Sequence, residues 1–112
     1  MKSQNILRKK EDFSRLFKNG KSVPSKYAVL LYLKNDLPEK RKAFLASKKV
    51  GNSVQRHRAM RLLREACRQI EKERDPATGY DFLFIARKSI LKAKCADVKK
   101  DIETALKRAK LI

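Results

Sequence analysis

The apolar positions of this chain recur with two different periods, and the period distinguishes helices from strands. Near the start, Phe13, Leu16 and Phe17 fall on one face at helical spacing. This pattern predicts a short helix over about residues 10–18. Gly20 would end that helix in the left-handed conformation that glycine adopts readily.

Three apolar runs predict strands. Residues 27–33 and 80–86 are rich in β-branched and aromatic side chains. Only Asp81 interrupts the second run, so that strand is expected in the middle of a sheet. Residues 43–47 predict a shorter strand, and the polar stretch at 34–42 predicts an exposed loop.

A helix with two chemically different faces is predicted from about Val54, in the connection between the last two strands. Gly51 permits a turn before it, and Asn52 or Ser53 would cap its first turn. One face is apolar and carries Ala59, Leu63, Ala66, Cys67 and Ile70. The opposite face, called here the basic face, carries His57, Arg61, Arg64, Arg68 and Lys72.

The order of these elements indicates the α+β class, with helices packed on one central sheet in a single domain over residues 1–112. The strand, helix, strand order around residues 43–86 predicts a parallel pair of strands. A last helix is predicted from the spacing of Val98, Ile102 and Ala105, with Asp97 as its N-cap.

Charge dominates the composition: 30 lysines and arginines against 12 acidic residues give a net charge of +18. Such a chain repels itself and is expected to bind a polyanion, nucleic acid first and an anionic membrane surface second. No apolar stretch approaches the roughly 18 residues of a spanning helix, and residues 1–8 form a basic arm without a signal-peptide run. The protein is therefore predicted to be cytoplasmic, and whether its arm is flexible stays open.

The basic face is favoured as a phosphate-binding surface over a merely solvated one. Residues 40–74 hold twelve lysines and arginines against three glutamates, so half of the net charge lies there. Like charges four residues apart destabilise a helix, which favours a functional role for them. Arginine suits bidentate contacts with phosphate, and amides at the Gly51-Asn52-Ser53 helix start attract phosphate as well.

Little in the chain predicts catalysis by the protein itself. His57 is the only histidine, Cys67 and Cys95 form no C-x-x-C pair, and the aspartates are scattered. A zinc site and a nuclease metal site are both disfavoured.

Phe13 and Phe17 have two interpretations of equal weight. Aromatic residues four apart on a helix are most often core, but these are flanked by Lys9, Lys10, Arg15 and Lys18. Aromatic rings beside positive charge are also how single-stranded RNA is bound.

The segment from Ser47 to Arg68 resembles the signature of the bacterial ribonuclease P protein subunit, with Arg56-His57-Arg58 where that family has Arg-Asn-Arg. Residues 10–20 are similar to the family's first helix and residues 85–88 to its last strand. The chain departs from the family pattern at Ser53, at His57 and at Ala59-Met60, where one expected charge is missing.

The resemblance implies an α+β fold with a left-handed β-α-β crossover, as in the second domain of ribosomal protein S5. It also implies a function: the protein binds a catalytic RNA subunit, and the assembly cuts the 5′ leader from precursor tRNA. The RNA and its Mg²⁺ carry the hydrolysis, so no catalytic residue, metal ligand or cofactor is expected on the protein.

The resemblance further implies two groups of binding residues. Those implied for the RNA subunit are Lys48, Lys49, Asn52, Arg56, His57, Arg58, Arg61, Arg64 and Arg68. Those implied for the leader of precursor tRNA are Lys9, Lys10, Phe13 and Phe17, together with one side of residues 27–33 that the sequence does not specify. The alternatives are a ribosomal or general RNA-binding protein, a DNA-binding regulator and an autonomous nuclease.

Overall fold

The computed structural model describes Ile6, Leu7 and residues 9–112, and most of the predicted basic arm over residues 1–8 lies outside this range. Over these residues the chain forms three α-helices and four strands. The elements in chain order are α1 (Lys10–Asn19), β1 (Lys21–Pro24), β2 (Ala28–Lys34), β3 (Arg41–Leu45), α2 (Ser53–Glu73), β4 (Tyr80–Ala86), a short 3-10 helix (Lys88–Lys92) and α3 (Cys95–Arg108).

The four strands form one mixed sheet in the order β1-β2-β4-β3. β2 pairs antiparallel with both β1 and β4, whereas β3 pairs parallel with β4. The last strand of the chain therefore lies inside the sheet, as its apolar run predicts, and α2 joins the predicted parallel pair. The left-handed sense of this crossover stays a prediction of the family resemblance.

The sheet buries both of its faces, but unequally. Leu30, Phe82 and Phe84 point toward α2 and α3 and belong to the main core. On the other face, Leu31 and Leu83 pack with the fully buried Leu16 of α1 in a smaller core. Because successive strand residues point to opposite faces, the side of β2 that faces α1 carries Val29, Leu31 and Leu33.

Helix α1 crosses only one end of the sheet. The chain just before it is tied to β3, where the Leu7 amide donates to the Lys42 carbonyl at 3.0 Å. The chain just after it lies beside β2 at Tyr32. At the opposite end of this face, Val29 and Ile85 are half-buried and Leu45 is 39% exposed, so these three paired positions form an open apolar floor.

Two local predictions are wrong, and the bounds of a third are shifted. Gly20 has an extended backbone with φ −70°, and glycine is needed there because a Cβ would lie 2.4 Å from the Leu16 carbonyl oxygen. Asp97 is the third residue of α3 rather than its N-cap, and it accepts a hydrogen bond from the Lys94 amide at 3.0 Å. The strand predicted over residues 43–47 begins at Arg41, whose charge is paired inside the fold.

Candidate nucleic-acid interface

The first turn of α2 is held by a reciprocal pair of hydrogen bonds. The Gln55 amide donates to Asn52 Oδ1 at 2.9 Å, and the Asn52 amide donates to Gln55 Oε1 at 2.8 Å. Asn52, and not Ser53, is therefore the cap, in a capping box. Gly51 precedes it with φ +153°, and a Cβ there would lie 2.0 Å from Gln55 Oε1, so this start requires glycine.

The two faces of α2 separate as the periodicity predicts. The predicted apolar residues Ala59, Leu63, Ala66, Cys67 and Ile70 are all buried. All five residues of the basic face are exposed. Burial also raises the pKa of the Cys67 thiol, which keeps it protonated and unreactive.

Most cations of this surface lack an internal counter-ion. Within the described part of the chain, no carboxylate lies within 4.0 Å of six candidate residues, which are Lys48, Lys49, Arg56, Arg58, Arg61 and Arg64. These groups can therefore bind phosphate without first giving up an ion pair.

Arg68 is the exception. Its Nε and Nη2 donate to the two carboxylate oxygens of Glu65 at 3.0 and 2.6 Å. The hydrogen bond from Arg68, with a second from Gln69, lowers the pKa of Glu65 to about 2. Glu65 is thus ionised at neutral pH, and much of the charge of Arg68 is balanced within the helix.

The two phenylalanines of α1 have different surroundings. Phe13 is half-buried against the smaller core, while Phe17 is 57% exposed. On the helix, Asp12 and Arg15 lie on one flank of Leu16, and both phenylalanines lie on the other. Since Asp12 and Arg15 reach Asp81 and Arg41 at the covered end of the sheet, Phe13 and Phe17 face the open apolar floor.

The surface between α1 and the far end of the sheet, called here the cleft, has Phe17 on its wall and Val29, Leu45 and Ile85 on its floor. The open side of β2 is the one that carries Val29, which the sequence left undecided. Lys9 and Lys10 are exposed at the start of α1.

Basic residues that the sequence did not single out surround the open end of this cleft. They are Lys26, Arg87 and Lys88, which are all exposed. The Arg87 amide donates to the Tyr27 carbonyl at 2.9 Å, which brings the start of β2 beside the end of β4. Lys48 follows β3, which runs parallel to β4, so it lies at the same end of the sheet. The position of these basic residues next to the ends of predicted strands is the sequence feature from which they could have been predicted.

A buried ion-pair network, also missed, fixes α1 on the sheet. Asp81 is 1% exposed and accepts from Arg41 Nε and Nη2 at 2.9 and 2.8 Å and from Asn35 at 2.9 Å. Arg15 and Asp12 of α1 complete the network. The hydrogen bond to Asp81 raises the pKa of Arg41, so its charge is permanent. The lone aspartate in an apolar strand was the signal in the sequence.

Other chemistry is not evident in the residues that the structure describes. They contain no group of three or more histidine, cysteine, aspartate or glutamate side chains placed to hold a metal ion. None of the helices formed by residues 6–7 and 9–112 is long and apolar enough to cross a membrane.

Comparison with known proteins identifies the family. The family model for ribonuclease P matches residues 1–110. The chain belongs to the ribonuclease P protein family. It is 43% identical to the ribonuclease P protein component of Pelotomaculum thermopropionicum over 111 residues, which cover 99% of this chain and 97% of that protein. It is 42% identical to that of Clostridioides difficile over 103 residues, 91% of this chain and 89% of that protein.

Solved ribonuclease P proteins share the fold. A mutant of the Staphylococcus aureus protein superposes with a TM-score of 0.87 at 27% identity, covering 100% of this chain and 93% of that one. The Thermotoga maritima protein gives a TM-score of 0.79 at 29% identity, covering 91% of this chain and 94% of that one. The α+β class predicted from the sequence is confirmed by these ribonuclease P structures.

Proposed function

We propose that this protein is the RNA-binding subunit of a ribonuclease P that removes the 5′ leader from precursor tRNA. One observation carries the proposal: unpaired arginines on a rigid, capped helix lie next to a cleft with an apolar floor and an exposed phenylalanine. Phosphates of a folded RNA suit the arginines, and a single strand with unstacked bases suits the cleft.

In this proposal the two surfaces divide the binding. Arg56, Arg58, Arg61 and Arg64 bind the backbone of the catalytic RNA subunit, with Lys48, Lys49, Asn52 and His57 at the same end of α2. The cleft binds the leader, with Phe17 stacking on a base and Lys9, Lys10, Lys26 and Arg87 near its phosphates.

The protein residues contribute affinity and orientation rather than bond cleavage. Mg²⁺ held by the RNA subunit would supply the activated water for hydrolysis of the phosphodiester. The described protein residues contain no group of three or more histidine, cysteine, aspartate or glutamate side chains placed to hold such an ion. The chain holds the two RNAs in register and offsets their mutual repulsion with its own +18 charge.

The decisive experiment is cleavage of precursor tRNA at low Mg²⁺ with the protein, its cognate RNA subunit or both. We expect cleavage at the leader junction with both components and none with the protein alone. Cleavage by the protein alone would indicate an autonomous nuclease. The absence of any protein effect on the RNA-catalysed reaction would contradict a subunit role.

A substitution series tests the assignment of α2. Arg58→Ala should weaken binding to the RNA subunit and reduce the slope of log K against log salt by about 0.7–0.9, the value of one phosphate contact. Lys107→Ala on α3 is the matched control, because Lys107 is also exposed but lies on a different helix. Equal losses in both variants would mean that the charge acts without a defined site.

A further inference from the structure

A concave site lies along the edge strand β3, next to the leader cleft, and Phe13 borders both. It is a groove of about 700 Å³ between the start of the described chain, the edge strand β3 and the basic face of α2. Its apolar wall includes Leu7, Phe13, Ala43 and Phe44, and Arg61 and Arg64 line the opposite wall. This volume lies within the range of about 300–1,000 Å³ that is typical of small-ligand sites.

A ladder of planar groups runs from the main core into this groove. The rings of Phe82 and Phe84 are stacked at 6.3 Å, and those of Phe84 and Phe44 at 5.6 Å with planes 19° apart. The Arg64 guanidinium carbon lies 6.0 Å above the Phe44 ring on α2's side. The ladder thus ends in a planar cation at the groove, supported from beneath by a phenylalanine that the core holds in place.

The charges of the groove specify its ligand further. Lys42 is paired with Glu71, and Arg68 is paired with Glu65. In the described chain, Arg61 and Arg64 have no such carboxylate partner, so the groove presents two uncompensated guanidinium groups beside an apolar wall. A suitable ligand has both a flat aromatic surface and a negative charge, and a nucleotide has both.

We propose that this groove binds one unpaired nucleotide of the RNA subunit, with its base stacked on Arg64 over Phe44 and its phosphate bound by Arg61. The inference rests on the proposed function and deepens it, because it gives part of the basic face a base-binding role in addition to phosphate contact. Stacking is not screened by salt, whereas a phosphate contact is.

The test is therefore a comparison of two charge-conserving substitutions on one helix. Arg64→Lys keeps the positive charge but removes the planar group, and Arg58→Lys is the matched control at an exposed arginine outside the groove. We expect Arg64→Lys to weaken binding of the RNA subunit about five- to a hundred-fold at every salt concentration, with an unchanged salt slope. Arg58→Lys keeps the charge that a phosphate contact needs and removes no stacked group, so it should weaken binding less than Arg64→Lys does.

A second variant tests the support beneath the stack. Phe44→Leu keeps an apolar side chain but removes the ring, and its thermal melt shows whether the fold persists. In the folded variant, chemical probing of the bound RNA subunit should show that one unpaired base protected by the unmodified protein becomes reactive.

The outcomes separate the two proposals. Equal effects of Arg64→Lys and Arg58→Lys would overturn the nucleotide site while leaving the phosphate-binding role intact. Loss of affinity accompanied by a reduced salt slope would also overturn it, because that pattern denotes a phosphate contact. Failure of the unmodified protein to bind the RNA subunit at all would overturn the proposed function itself.

Discussion

Phe17 and Phe13 lie one helical turn apart on α1, yet one faces solvent and the other packs on the smaller core. We expect Phe17→Ala to weaken binding of precursor tRNA but not of mature tRNA, which lacks the leader. The loss of one base stack is worth about 1–3 kcal/mol, or about five- to a hundred-fold in affinity. The melting temperature should change little, because the ring is mostly exposed.

Phe13→Ala is the internal control for that measurement. Its ring supports the contact between α1 and the sheet, so its loss should lower the free energy of unfolding by up to about 3 kcal/mol. If instead Phe17→Ala lowered the melting temperature strongly and weakened both RNAs equally, the cleft assignment would be wrong.

At the scale of the element, α2 carries one acidic residue that opposes its own basic face. Glu65→Gln removes the partner of Arg68, so we expect tighter binding of the RNA subunit and a salt slope steeper by up to about one phosphate contact. Glu73→Gln changes the charge of the same helix equally but releases Lys99 of α3 instead. Similar gains in both variants would attribute the effect to net charge alone.

The pH dependence of this pair follows from its lowered pKa. The pKa of Glu65 falls from its ordinary value of 4.5 to about 2 in the folded protein. Its contribution to stability is therefore present above about pH 4.5 and is lost as the pH falls toward 2. Between pH 6 and 8, a change in pH should not mimic Glu65→Gln.

Periodicity was sufficient to predict α2 and its two faces, because buried and exposed positions of an amphipathic helix repeat at helical spacing over several consecutive turns. The strand β4 was equally clear, since it is apolar on both sides. The four residues of β1 carry no such pattern and become a strand through pairing with β2. The left-handed conformation predicted for Gly20 is wrong. Glycine is needed there because the chain passes close to a neighbouring carbonyl group, and the local sequence does not reveal that contact.

Only part of the candidate site could be predicted from the sequence. The exposed arginines were predicted from their spacing on one helix, and the two phenylalanines from their spacing on another. The open side of β2 depends on where α1 crosses the sheet, which contacts distant in sequence decide. Lys26 and Arg87 meet only because β2 and β4 are neighbours, so no local pattern links them.

At the scale of the whole molecule, the network around Asp81 joins α1, β3, β4 and the loop after β2. Asp81→Ala leaves Arg41 without its main partner in a partly buried site. We expect a loss of about 3–5 kcal/mol in the free energy of unfolding, measured by urea denaturation. Precursor tRNA binding should weaken as well, because α1 forms the wall of the cleft.

Replacing both charged residues distinguishes the contribution of the ion pair to stability from the contribution of the volume that the two side chains fill. The double variant Asp81→Leu with Arg41→Met removes the unpaired charge and restores apolar volume, so it should regain part of the stability lost in Asp81→Ala. A single variant that unfolds at the same urea concentration as the unmodified protein would show that the network contributes little to holding α1.

The strand order also determines when the protein can fold as it is synthesised. β4 is made last among the strands, yet it is the strand on which both β2 and β3 pair. Because the chain emerges N-terminus first, β1 with β2 is the one strand pair of this sheet that can form before β4 is made. The apolar side of α2 and the ring of Phe44 therefore stay exposed to the solvent until β4 has been synthesised.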